Sequence, residues 1–224
     1  NFMCLLGWSP GDDTEVMTRE RIVRRFSIDR INDSPATFDA EKLEWMNGVY
    51  IRSMDEDHLI EMLLPFMERP EADGGLPDTV ERPIDRVYLK KLIPLVHERL
   101  KLLTEGTETL DFFFADNVNP AAEDLPGRKM DIAMTEIALE SALGLCKTVS
   151  SFQPEHLETE YRELAEKIEM KPGQLFSPIR VAITGKSFAP PLFDTMAAIG
   201  QFRCVERMEN ALSIIRSATS TTAE

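Results

Sequence analysis

The stretch 173–200 reads GQLFSPIRVAITGKSFAPPLFDTMAAIG, and its breakers dictate where helices can start and stop. Ser177 can cap a helix whose first turn holds Pro178. Ile179, Ala182 and Ile183 follow at helical spacing. Gly185, just past Thr184, stands where a left-handed C-cap is expected. Pro190 and Pro191 open the next helix, and Gly200 closes it.

The same punctuation extends upstream. Thr18 caps a helix reaching about Phe26, with Ile22, Val23 and Phe26 apolar. Asp39 caps the next, where Leu43, Met46 and Tyr50 fall at i, i+3 and i+7. Asp55 starts a third, with Leu59, Met62, Leu63 and Phe66 inward and Pro65 kinking or ending it. The Pro-, Gly- and acid-rich segment 68–78 reads as a loop. Pro83 opens a long helix that ends near Gly106 and kinks at Pro94, with Ile84, Val87, Tyr88, Leu92 and Leu95 in one stripe. Residues 110–114 fit strand or helix by periodicity; they are read as helix because no partner strand exists elsewhere. After a second loop at 117–128, helices are expected at about 130–149, 155–170, 173–184, 190–199 and 201–216. The small, polar tail 217–224 is expected to fray. The fold class is all-α.

A length of 224 residues suits two or three helical subdomains, and 43% hydrophobic with 29% charged residues fits a soluble globular chain. No apolar run approaches the ~18 residues that span a bilayer, and no signal peptide is visible. Cys4, Cys146 and Cys204 are widely spaced and form no Cys-x-x-Cys pair, which argues against structural zinc and a disulfide framework and fits a reducing cytosol. His58, His97 and His156 are isolated, so no catalytic set is proposed. Gly74-Gly75 lacks the Lys-Ser/Thr of a phosphate cradle, and Gly185-Lys186-Ser187 has Arg180 where that motif needs its earlier glycine.

The net charge of −14 argues against a nucleic-acid partner. Charges act locally, however, within ~8–10 Å at physiological salt. Acids cluster at 55–57, 71–73 and 158–169; bases cluster at Arg19, Arg21, Arg24, Arg25 and Arg30, at Lys90-Lys91 and at Arg99 and Lys101. A basic strip on an acidic body is compatible with these runs, most of which read as solvated helix faces.

The string at 173–200 resembles the C-terminal anticodon-binding domain of glutamyl-tRNA synthetases. Leu5-Leu6-Gly7-Trp8-Ser9-Pro10 looks like the segment leaving that family's catalytic domain. Ser34-Pro35-Ala36, Phe38-Asp39 and Lys42-Leu43-Glu44-Trp45-Met46-Asn47-Gly48 look like its helical region between active site and anticodon arm. Residues 54–150 are carried by position and helix pattern. The family's HIGH-type and KMSKS-type signatures, which hold ATP, are not in this sequence. The chain opens on Asn1, and the expectation is the C-terminal part of a longer enzyme.

The resemblance implies a helical stem-contact region at 1–54, then two helical anticodon-binding subdomains at 55–127 and 128–224 that form an α-helix cage. The implied function is recognition and positioning of the tRNA for glutamate, next to the catalytic domain of the same cytoplasmic enzyme, with no membrane. No cofactor is expected in this part; ATP and magnesium belong to the parent ligase. The alternative is a helical protein-interaction module that kept the fold without tRNA binding. The acidic balance favours that alternative, and the intact string at 173–200 opposes it.

Arg99 shares a face with Leu92 and Leu95 in the expected helix. An arginine that continues an apolar stripe must snorkel to water or meet a partner. By position the resemblance aligns it with the arginine directed at the third anticodon base, a task suited to a fixed guanidinium fork. Gln174 offers donor and acceptor to a base edge, and Arg180 a bond to base or phosphate; otherwise Gln174 caps and Arg180 pairs with an acid. The turn Ala189-Pro190-Pro191-Leu192 looks like the pocket for the first anticodon base, with alanine and a second proline altering its backbone contacts. Lys42 matches a phosphate-contacting lysine, and Trp45 is read as core. Asp33, beside Asn32, would repel phosphate and weaken or shift a stem contact there.

Overall fold

Short polar side chains begin most of the helices, as the sequence demands. The structure is a computed structural model describing residues 1–32 and 37–222, with only the backbone described over 219–222. Asp33 and Ser34-Pro35-Ala36 lie outside the described residues, as do the last two positions of the tail. After α1 (Phe2–Gly7), the Thr18 side chain accepts from Arg21 N at the start of α2 (Arg19–Arg25). Asp39 accepts from Lys42 N to start α3 (Ala40–Arg52), and Asp55 from His58 N to start α4 (Glu56–Met67). Each bond satisfies an N–H that has no intrahelical partner, worth about 1 kcal/mol. Among the described residues no strand occurs; an isolated bridge joins Trp8 and Ile31.

The long helix expected from Pro83 to near Gly106 is two helices. α5 (Arg86–Val96) starts on an Asp85 cap, and a 3₁₀ turn, His97–Arg99, follows it. Leu100 is extended, and α6 (Glu105–Phe114) begins afresh. Pro94 lies inside α5, and its missing N–H loosens the last turn, so the helix ends two residues on. The buried face is Leu89, Leu92, Ile93 and Val96; Val87 is 69% exposed and outside the stripe. Met62 is likewise on the solvent side of α4, Leu43 is exposed on α3, and Trp45 is 44% exposed rather than core.

α7 (Ile132–Thr148), α8 (Pro154–Lys167), α9 (Pro172–Thr184), α10 (Leu192–Ile199) and α11 (Gln201–Thr222) follow. The expected start at Ser177-Pro178 is inside α9, which begins at Pro172 and is closed by Lys171 N donating to Gln174 Oε1 at 3.1 Å. Pro178 is buried there, and its packing compensates a single missing hydrogen bond. Gly185 ends α9 at φ 71° and Gly200 ends α10 at φ 89°, left-handed values that glycine adopts without strain. α11 continues through the expected fraying tail as far as Thr222.

One hydrophobic cluster runs from Ile51 to Ile215. α4 packs on α5 and α6, α11 on α7, α9 and α10, and α5 meets α10 between them. A Cβ at Gly106 would stand 2.5 Å from Leu63 Cδ2, so glycine lets α6 press against α4. Arg207 of α11 is only 1% exposed in this core. It donates to Ile183 O at 2.6 Å, Phe112 O at 2.9 Å and Ala115 O at 2.5 Å. Those carbonyls belong to the C-terminal ends of α9 and α6, where backbone acceptors lack intrahelical donors. Arg203, one turn earlier, donates to Phe113 O at 2.9 Å and to the Tyr88 hydroxyl at 3.1 Å.

Candidate nucleic-acid interface

The turn between α9 and α10 is held from three directions. Gly185 swings the chain out of α9, and the Thr184 hydroxyl accepts from Lys186 N at 3.1 Å. Lys186 Nζ bonds Asp111 at 2.8 Å and also the Glu108 carbonyl, pinning the turn to α6. Arg180, projecting from α9, donates to Pro190 O at 2.7 Å and to Ala189 O at 3.3 Å. Arg99, from the 3₁₀ turn after α5, donates to the same Ala189 O at 3.3 Å. Two guanidinium groups far apart in sequence therefore meet on one carbonyl.

Beside this junction lies an open cleft of about 310 Å³. Arg99, Lys101, Glu105, Glu108, Phe112, Lys186, Phe188, Ala189 and Pro190 are among its lining residues. The two lysines are neutralised: Lys101 pairs with Glu44 at 2.8 Å and Lys186 with Asp111 at 2.8 Å. Neither Arg99 nor Arg180 has a carboxylate within ion-pair distance among the described residues. Burial first, then the neighbouring charge of Arg99, pushes the Arg180 guanidinium down from its ordinary value. Adjacent like charges without an acid between them attract an anion.

The structure brings together Arg99, Arg180, Ala189 and Pro190. Pro191 is exposed at the start of α10, whereas Leu192 is 4% exposed and packs in the core. Gln174 sits on the first turn of α9, engaged in the cap with Lys171, and does not line the cleft. Lys42 is also remote from it: its Nζ pairs with Glu15 beside a groove formed with Phe2, Leu5 and Phe38. Arg99 reaches the turn without the helical stripe expected for it; the break after Val96 aims it there. Of the early basic cluster, Arg25 is tied to Asp12 at 2.7 Å and Arg30 to Pro10 O at 2.6 Å, while Arg19, Arg21 and Arg24 are exposed.

Two residues escaped the sequence reading. Phe188 is 81% exposed at the mouth of the cleft, with the Arg99 guanidinium 5.7 Å from its ring centre. An aromatic between Ser187 and a proline pair, in a turn with no helical stripe to join, was the available signal. Arg207 was legible by the argument applied to Arg99, since it stands among Cys204, Met208 and Ala211 on an apolar stripe.

The chain belongs to the anticodon binding domain family, whose model matches residues 58–212. It is similar to the glutamate–tRNA ligase of Roseiflexus castenholzii, with 43% identity over 218 residues, 97% of this chain and 42% of that protein. The glutamate–tRNA ligase of Chloroflexus aurantiacus is 43% identical over 222 residues, again 97% of this chain and 43% of that protein. The chain thus spans about two fifths of the length of these curated relatives. Its fold is similar to that of part of a crystallised glutamate tRNA ligase from Elizabethkingia meningosepticum, with a TM-score of 0.76 and 21% identity over 96% of this chain and 40% of that one. Among the described residues, no helix is long and apolar enough to cross a membrane, and no group of three His, Cys, Asp or Glu side chains is placed to hold a metal ion.

Proposed function

We propose that this chain is the tRNA-gripping part of a cytoplasmic glutamate–tRNA ligase. In this reading it binds the anticodon loop of glutamate tRNA and sets that arm relative to the catalytic domain, where ATP and magnesium are used. One observation carries the proposal: Arg99 and Arg180, free of carboxylate partners, converge on a proline-stiffened turn beside a cleft. A guanidinium fork suits both phosphate and the exposed edges of unpaired bases. Residues 1–54 supply the stem contact, with Lys42 on phosphate, and 55–127 and 128–224 the two anticodon-binding parts. Arg99 discriminates the third anticodon base; Ala189, Pro190, Pro191 and Leu192 shape the place of the first, and Gln174 offers its amide to a base edge from the first turn of α9, outside the cleft.

Titrating the chain with glutamate tRNA at several salt concentrations tests this. The expected result is weak binding with a shallow negative slope; no binding, or no slope, overturns it. A second reading, a helical protein-interaction module, draws on the net charge of −14 and on the lysines neutralised at the cleft. It is the reading that remains if tRNA does not bind. In either case the chain by itself is expected to give no glutamate-dependent ATP–pyrophosphate exchange, and a rate above background refutes that.

A further inference from the structure

We propose that Phe188 is a stacking platform for an unpaired RNA base, a site that works alongside the arginines and reads no sequence. This rests on the tRNA-binding reading above and gives it a second kind of contact. The ring is 81% exposed, so it contributes little to the core. Its backbone is fixed all the same, because the residues after it are tied down by Arg180 and Arg99 and the residues before it by Lys186 and Thr184. An exposed aromatic on a stiff turn costs little ordering when a ligand arrives.

The surroundings select the ligand. Arg99 lies over the ring at 5.7 Å; the other charged residues of the cleft are Lys101 and Lys186, each paired with an acid, and Glu105 and Glu108. The guanidinium against the ring has no acid to neutralise it among the described residues, which favours an anionic ligand over an apolar one. A flat π-face beside the Arg99 guanidinium matches a splayed base whose own phosphate meets that cation. Every base has a π-face, so the contact adds affinity without discrimination. Phe202 provides the contrast: it is 73% exposed on α11 and does not line the cleft.

The test is binding of the 224-residue chain to a stem–loop RNA carrying the glutamate anticodon arm. Phe188→Ala should weaken binding by about 5- to 150-fold, the range for loss of one stacked base. Phe188→Tyr should stay near wild type, and Phe202→Ala should change nothing. The log–log salt slope should be the same in Phe188→Ala as in wild type, because stacking releases no counterions. Stem–loops each lacking one loop base add the decisive arm. At one position the missing base and Phe188→Ala should cost no more together than either does alone. If wild type binds and Phe188→Ala binds equally well, or if its loss persists undiminished on every abasic loop, the stacking proposal fails while the tRNA reading stands. If wild type does not bind the stem–loop, both fail together.

Discussion

Two pairs of arginines in this molecule do the same chemistry in opposite settings. Arg207, buried, and Arg203, half-buried, donate to the carbonyl ends of α6, α9 and α10; Arg99 and Arg180 donate to the carbonyls of Ala189 and Pro190 beside a cleft. Arg207 is 1% exposed and makes three bonds to backbone oxygens, so nothing from outside can reach it. Arg99 is exposed and Arg180 half-buried, each with donor capacity beyond the bonds to the turn. The type of partner does not distinguish Arg207 from Arg99 and Arg180. Access does.

That contrast can be broken most directly at its buried end. Arg207→Met orphans several buried carbonyls, each costing about 1–3 kcal/mol, and should lower unfolding free energy by ~3 kcal/mol or more in urea denaturation. A loss below about 1 kcal/mol would erase the distinction. At the open end, Arg99→Gln should leave stability almost unchanged but cost ~1–3 kcal/mol of tRNA affinity, by analogy with base readout in DNA. It should also narrow the advantage of glutamate tRNA over glutamine tRNA, whereas Lys42→Ala should weaken both alike. Measuring both tRNAs with both variants decides this; a parallel loss with Arg99→Gln would make Arg99 a generic electrostatic contact. Smaller again is the salt response, expected to correspond to two to four phosphate contacts at roughly −0.7 each for a single strand. The smallest effect lies away from both pairs. The hydrogen bond from Arg25 lowers the Asp12 carboxyl from 3.8 to about 2. Its contribution to stability is therefore present above pH 3.8 and lost as pH falls through 2. In acid unfolding, wild type should exceed Asp12→Asn in stability above pH 3.8, and the gap should close as pH falls from 3.8 to about 2.

What the sequence disclosed was local. Thr18, Asp39, Asp55, Gly185 and Gly200 act within a turn of themselves, and each stands where the cap it forms was expected. What stayed hidden depends on distant parts. The break after Val96 required knowing how Pro94 would be packed, and Ser177-Pro178 imitated a helix start because a buried proline can be carried through α9. Trp45 looked like core by size alone, yet its helix buries Met46, Gly48 and Ile51 instead. At the cleft, Arg99, Arg180, Ala189 and Pro190 were legible as separate residues but not as one junction, since 90 positions separate Arg99 from the carbonyl it meets.

The clamp made by Arg207 has a consequence for how variants of this chain would be interpreted. α6 forms one wall of the cleft through Glu105, Glu108 and Phe112, and α9, through Arg180, anchors the Ala189-Pro190 turn that lines it as well. Both helices end on the same guanidinium. The spacing between the jaws is therefore gauged by a side chain that no ligand can touch. On the tRNA-binding proposal, an allele at Arg207 would present as a temperature-dependent failure to grip, with every contact residue intact, and a genetic screen for binding defects would point to a position remote from the ligand.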